Sequence, residues 1–142
     1  MGDLRQSSQP SSLLMRYLPN IAGGLLGLMF FAFGLMFLLR MVPNPPPPPE
    51  GSPVALFMGA FHPTGYLDFV KVLEVLGGIL VAIPRTRNFG LLVLSPIIVN
   101  IIAFHVFITK GADLVNPILI AIVLLTTFLL WTERKAFAGL LK

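Results

Sequence analysis

Tyr17-Leu18-Pro19-Asn20-Ile21-Ala22-Gly23-Gly24-Leu25-Leu26-Gly27-Leu28-Met29-Phe30-Phe31-Ala32-Phe33-Gly34-Leu35-Met36-Phe37-Leu38-Leu39 is a run of 23 residues without a formal charge. As a helix it would extend about 34 Å at 1.5 Å per residue, enough to cross roughly 30 Å of hydrocarbon. Two further runs read the same way: Asn88 to Thr109, with 22 residues, and Leu114 to Thr132, with 19. A fourth stretch, Gly65 to Pro84, has 20 residues but contains Asp68, Lys71 and Glu74 before its uniformly apolar end, Val75 to Ile83. The whole chain agrees with these segments. It has 142 residues, one domain's worth, with 56% hydrophobic and 11% charged residues. Its mean hydropathy is +0.88. A soluble domain carries roughly 25% charged residues, so this composition excludes a soluble globular enzyme and a disordered chain. The absence of cysteine excludes disulfides, thiol relays, iron–sulfur clusters and cysteine zinc sites.

The expected fold is all-α, an integral membrane four-helix bundle with spans at about 17–42, 65–83, 88–109 and 116–132. The boundaries have local causes. Pro84 stops the second span, because a residue before proline disfavours the helical region. Asn116-Pro117 reads as an N-cap followed by proline at the first helical position. Between the first two spans, Pro43 to Pro49 favours a stiff extended conformation and forms an outer loop at 43–53. Val54 to Phe61 is too short to span, which predicts an interfacial or re-entrant helix there. Residues 1–16 are expected as a polar N-terminal tail, 17–132 as a single membrane domain, and 133–142 as a cytoplasmic C-terminal tail.

Lys and Arg set the orientation. Arg5, Arg16, Arg85, Arg87, Arg134, Lys135 and Lys142 fall on one side of a four-span chain, against Arg40 and Lys110 on the other. This bias predicts that both termini are cytoplasmic, in a bacterial inner membrane. The scattered basic residues are accounted for by orientation, with no nucleic-acid partner. Arg85 and Arg87, in the tight turn between spans two and three, are expected to meet anionic headgroups or an acidic partner surface.

Ionisable residues within a span are costly and so mark candidate sites. Asp68, Lys71 and Glu74 recur every three residues and share one helical face, followed by Gly77 and Gly78. Span three carries Asn100 and His105. By the helical rise, Lys71 and Glu74 lie about 8–12 Å below the start of span two, and His105 and Asn100 lie about 6 and 14 Å from the end of span three. All four fall in the outer half of the bilayer and could form one polar cluster. Asn100 and His105 are about 140° apart at 100° per residue, which predicts that they flank the cluster from two sides. The cluster is either an internal ion pair with hydrogen-bonding glue or a proton-linked or ligand-contacting site. One buried histidine and one carboxylate are too few ligands for a metal. His62 reads as a solvated loop residue.

Phe69-Val70-Lys71-Val72-Leu73-Glu74-Val75-Leu76-Gly77-Gly78, then Ile83-Pro84-Arg85-Thr86-Arg87-Asn88-Phe89-Gly90-Leu91, then Asn100-Ile101-Ile102-Ala103-Phe104-His105 resemble the DoxX-like family of small bacterial membrane proteins. The likeness runs over roughly residues 17 to 132: a glutamate before paired glycines, a basic turn, and a polar position in span three. The proline-rich segment is longer than usual for the family. The resemblance implies a four-helix membrane protein, and its namesake is a subunit of a quinone-linked oxidoreductase. It points to an accessory subunit of a membrane redox complex, not catalytic on its own, that is either non-catalytic or in contact with quinone. In such a site Lys71 or His105 would donate to a quinone carbonyl and Glu74 would hold the basic partner. The alternatives are a structural or lipid-packing subunit and a small proton-coupled transporter.

Overall fold

The structure, a computed structural model, describes residues 10–43 and 45–139. Residues 1–9 of the expected tail, with Arg5, lie outside the described residues, as do Asn44 and Lys142. The fold is all-α. Six α-helices are described: α1 (Pro10–Leu38), α2 (Pro53–Phe61), α3 (Tyr66–Ala82), α4 (Arg87–Ala103), α5 (Pro117–Thr132) and α6 (Arg134–Ala138). A π-helical turn, Phe104–Ile108, extends α4.

Local chemistry sets these ends. Ser52 accepts a hydrogen bond from the Ala55 amide at 3.2 Å, and Pro53 opens α2. Asn116 accepts from the Ile118 amide at 2.9 Å, and Pro117 opens α5. Ile83 is extended (φ −87°, ψ 119°) ahead of Pro84 and ends α3. Several boundaries differ from the sequence reading, and the first span, expected to run to 42, ends as a helix at Leu38. Residues 10–16, expected within a polar tail, form the first turns of α1. Pro10 is tolerated in a first helical turn because its missing N–H would have no partner there. At the other end, part of the expected C-terminal tail is the short helix α6.

α1 packs chiefly against α3, α3 also against α4, and α5 rests on α1 and α4. The α1–α3 contact is a backbone-to-backbone approach. A Cβ added at Gly78 would lie 2.8 Å from the Gly27 carbonyl oxygen, and one added at Gly27 would strike the Gly78 carbonyl. Glycine is required on both sides of that crossing. Gly90 plays the same part between α4 and α3, where an added Cβ would run into the Val81 backbone. Around these contacts Leu26, Val81, Leu91, Leu94 and Leu129 are fully buried.

That core is thin for so apolar a chain. Leu28, Phe69, Val99, Phe107, Leu124 and Trp131 are all more than half exposed. Soluble monomers rarely expose contiguous apolar surface on this scale. Two helices, Leu13–Leu38 and Arg87–Ile108, are long and apolar enough to cross a membrane. α5 is apolar but has 16 residues, and α3 has 17 and carries charges. These surfaces and lengths are consistent with association with a lipid bilayer.

Candidate functional site

α3 sets the first half of the site. Lys71 and Glu74 are three residues apart and therefore neighbours on one face. Their side chains form an ion pair, with Lys71 Nζ 2.7 Å from Glu74 Oε2 and 3.0 Å from Oε1. Glu74 is almost wholly buried, its side chain 4% exposed, while that of Lys71 is 26% exposed. The ammonium also lies 5.6 Å from the centre of the Phe37 ring on α1, a cation–π distance. Asp68, the third charge of the stripe, belongs elsewhere. It pairs with Arg40 at 3.0 Å and ties the end of α1 to the start of α3.

The second half comes from the end of α4. Asn100 lies in its last full turn and His105 in the π turn. The wider winding shows in the Thr109 amide, which donates to the Phe104 carbonyl five residues back at 3.1 Å. The Ile101 carbonyl is met by His105 Nδ1 at 2.8 Å. Because a carbonyl can only accept, Nδ1 carries the proton, and in the neutral ring Nε2 is left as an acceptor. The carbonyl of His105 is itself capped, by the Thr109 hydroxyl and the Gly111 amide, each at 2.8 Å. The ring is thus held from its side chain and its backbone.

Lys71, Glu74, Asn100 and His105 line one cavity of about 300 Å³. That is the lower end of the size of small-molecule sites. Asn100 lines the cavity from the last turn of α4 and His105 from the π turn.

An aromatic wall, absent from the sequence reading, completes the cavity. Phe57 on α2, Tyr66 at the start of α3 and Phe104 in the π turn all line it. Phe57 meets Phe104 edge-on at 4.9 Å and Phe61 at 4.7 Å, and Phe61 in turn meets Tyr66 at 4.8 Å. The short helix foreseen between the first two spans therefore packs an aromatic edge over the polar groups. A second cavity, of about 290 Å³, touches the other surroundings of His105 and is lined by Phe33, Asn116 and Ile122 among others.

The basic turn separates into two unlike residues. Arg85 is exposed, as headgroup or partner contact requires. Arg87 is buried, which corrects the expectation that it meets headgroups or a partner. Its guanidinium donates to Asn20 Oδ1 of α1 at 2.7 Å and lies 3.4 Å from Glu133 Oε1 at the end of α5. One planar fork joins the start of α4 to the body of α1 and the end of α5, the geometry for which arginine is suited. Gly23 leaves the space, since a Cβ there would lie 3.0 Å from Arg87 Nε. Asn20, an amide in an uncharged run, and Glu133, an acid closing an apolar helix, were the sequence signals for this cluster. On α5 the buried Thr126 hydroxyl has no partner among the described residues, whereas the Thr127 hydroxyl donates to the Val123 carbonyl at 2.8 Å. Among the described residues there is no group of three or more metal-ligating side chains.

The chain is similar to the "Uncharacterized protein YwoB" of Bacillus subtilis (strain 168), with 34% identity over 86 residues. The match covers 61% of this chain and 53% of the relative, so the chain spans about half the length of the curated relative it matches. No family model matches the chain. No solved structure matches it.

Proposed function

We propose that this protein is a DoxX-like, four-span inner-membrane protein that serves as an accessory subunit of a membrane redox complex and holds a quinone-class headgroup beside Lys71, Glu74, Asn100 and His105. α1, α3, α4 with its π turn, and α5 are the spans, and α2 lies at the outer interface. Both termini and the Arg85 turn are cytoplasmic. Tyr17 and Trp131, 57% and 67% exposed, sit at the inner interface and Tyr66, 45% exposed, at the outer one.

The observation that carries this reading is convergence. Four polar residues on two helices, in a chain with few polar groups, line a single cavity with a ring-bearing wall. A flat ring has aromatic edges and faces to pack on, and polar groups to fix its oxygens. The redox chemistry would be the quinone's own, while the protein supplies binding and orientation. The mutual satisfaction of Lys71 and Glu74 favours a second reading, a purely structural subunit in which the pair is glue.

The test is purification of the chain in mild detergent, with extraction of bound quinone and identification of co-purifying proteins. In His105→Leu, an apolar side chain of similar bulk replaces the imidazole. The site reading expects quinone retention to fall while the melting temperature moves little, because interhelical hydrogen bonds in membranes average only about 0.6 kcal/mol. Wild-type protein that carries no quinone and binds none on titration would leave the structural-subunit reading in its place.

A further inference from the structure

We infer that the groove between α1 and α3 holds one acyl chain of an anionic phospholipid, whose phosphate rests on Arg85 beyond the groove's end. The inference rests on α1 and α3 lying in a bilayer, as proposed above, and is independent of any quinone.

The groove follows from the close crossing of the two helices. Where Gly27 meets Gly78, no side chain fills the angle between them. What remains is an apolar furrow of about 470 Å³, lined by Gly24, Gly27 and Phe31 of α1 and by Gly78, Ala82 and Ile83 of α3 among others. A Cβ added at Gly24 would meet nothing within 4 Å, so that face of α1 is open. The same face continues toward the start of the helix. Tyr17, Ile21, Gly24, Leu28 and Phe31 are separated by four, three, four and three residues, which sets them on one side of α1. Tyr17, Ile21, Leu28 and Phe31 are all exposed there. A narrow apolar furrow suits a methylene chain, which gains many small dispersion contacts along its length.

The charge beyond the furrow's end selects the occupant. Ile83 closes the furrow on α3, and Arg85 follows two residues later, exposed and without an ion pair among the described residues. Arg16, Arg134 and Lys135 are exposed at the same end of the molecule, whereas Glu133, the acid described there, is taken by Arg87. That end therefore lacks anions. A second copy of the chain does not supply one. Two copies inserted the same way up and paired about a two-fold axis through this face would bring their Arg85 residues to the same leaflet, like charge toward like. A zwitterionic lipid covers the furrow equally well but carries no net charge to balance the arginine. An anionic phospholipid brings both a chain for the furrow and a net negative headgroup, and a guanidinium fork matches the oxygens of its phosphate. Tyr17, on the same side of α1, carries a phenol able to donate to that phosphate.

Native mass spectrometry of the full chain in detergent micelles tests this, with titration by phosphatidylglycerol or phosphatidylcholine bearing the same palmitoyl and oleoyl chains. The first phosphatidylglycerol should bind about fivefold tighter than the first phosphatidylcholine, the equivalent of ~1 kcal/mol for one cation at an anionic interface. Arg85→Gln should bring the two affinities together, and Lys135→Gln, away from the furrow, should not. Gly24→Leu fills the open face and should weaken both lipids. A second measurement needs no substitution: phosphatidylglycerol with a diazirine at mid-chain should, on irradiation, label the peptides containing Phe31 and Ile79. Equal affinities for the two lipids, a preference that survives Arg85→Gln, or an equal loss in Lys135→Gln would overturn Arg85 as the phosphate's partner. Binding untouched by Gly24→Leu, or a photolabel spread over all the helices, would overturn the furrow as the chain's seat. A dimer that Gly24→Leu dissociates would give the furrow to a second copy instead. Full chain that stays monodisperse in buffer without detergent would defeat the spanning reading itself, whereas the other outcomes bear on this inference alone.

Discussion

Removing either member of the Lys71–Glu74 pair should destabilise the protein, but not equally. The carboxylate is the buried partner, 4% exposed, and the ammonium is 26% exposed at the end of a flexible stem. Lys71→Met strands the carboxylate in an apolar environment. Breaking a buried pair in that way costs about 3–5 kcal/mol in proteins generally, and the lower half of that range applies because the pair is open on the lysine side. Glu74→Gln leaves the ammonium, which can turn its stem toward polar surroundings as long cationic side chains do, and which keeps the Phe37 ring. An interaction of that kind is worth about 0.5–1 kcal/mol at partly exposed sites. Glutamine also retains a carbonyl oxygen near its former partner, so the expected loss is about 1–2 kcal/mol. The double variant, Lys71→Met with Glu74→Gln, buries no unpaired charge and should recover more than half of the Lys71→Met loss. Reversible unfolding in mixed micelles, followed by far-UV circular dichroism across a detergent titration, measures all four proteins in one cycle. Strict additivity would refute the argument, because it would mean the two groups do not share an environment. A larger loss for Glu74→Gln than for Lys71→Met would refute the assignment of the carboxylate as the buried partner.

Three further outcomes follow from the packing and the charges. Gly27→Ala should cost about 1–3 kcal/mol by overpacking against Gly78 and Ala82. Gly24→Ala, where nothing lies within 4 Å, should be neutral or gain up to about 1 kcal/mol from helix propensity. The same unfolding titration distinguishes them, and equal effects would contradict the close α1–α3 crossing. Arg87→Lys should lose about 1–2 kcal/mol despite keeping the charge, because an ammonium cannot replace the fork between Asn20 and Glu133, whereas Arg85→Lys, on an exposed residue, should change stability by less than about 0.5 kcal/mol. For topology, single cysteines at Glu50 and Arg85 are unambiguous in a chain with no native cysteine, and an impermeant maleimide on intact cells should label the first and spare the second; the opposite pattern would invert the proposed orientation.

The sequence made the helices legible because their ends are set by single residues. Pro84, Ser52-Pro53 and Asn116-Pro117 act through their own backbone limits or one side-chain bond, and each ends or starts a helix where its chemistry requires. The convergence of Lys71, Glu74, Asn100 and His105 was also legible, because antiparallel helices convert sequence distance into depth by a fixed rise. Azimuth was not legible. Rotation about a helix depends on every intervening hydrogen bond, and one π turn at Phe104–Ile108 shifts it. No composition rule announces that turn. The contact of His105 Nδ1 with the Ile101 carbonyl was hidden for the same reason.

Arg87 shows a different limit. Counting it as a surface charge treats Lys and Arg as orientation signals, and their effect on insertion does not depend on where the side chain ends up after folding. Folding then adds a second demand. Gly23 removes a side chain, Asn20 supplies an acceptor, and Glu133 closes α5 with a carboxylate, so an arginine counted toward orientation can turn inward and join α4 to α1 and α5. A neighbour two residues away, Arg85, stays exposed because α4 has not begun there and no acceptor faces it among the described contacts. The two ends of the α3–α4 pair are therefore stabilised in unlike ways. At the Arg87 end a charged fork is satisfied by partners from α1 and α5. At the other end Lys71 and Glu74 pair within α3 and border a cavity walled by α2 and the π turn. The first arrangement leaves little room for a ligand, whereas the second places partly accessible polar groups beside open space, which is why the search for an occupant belongs there.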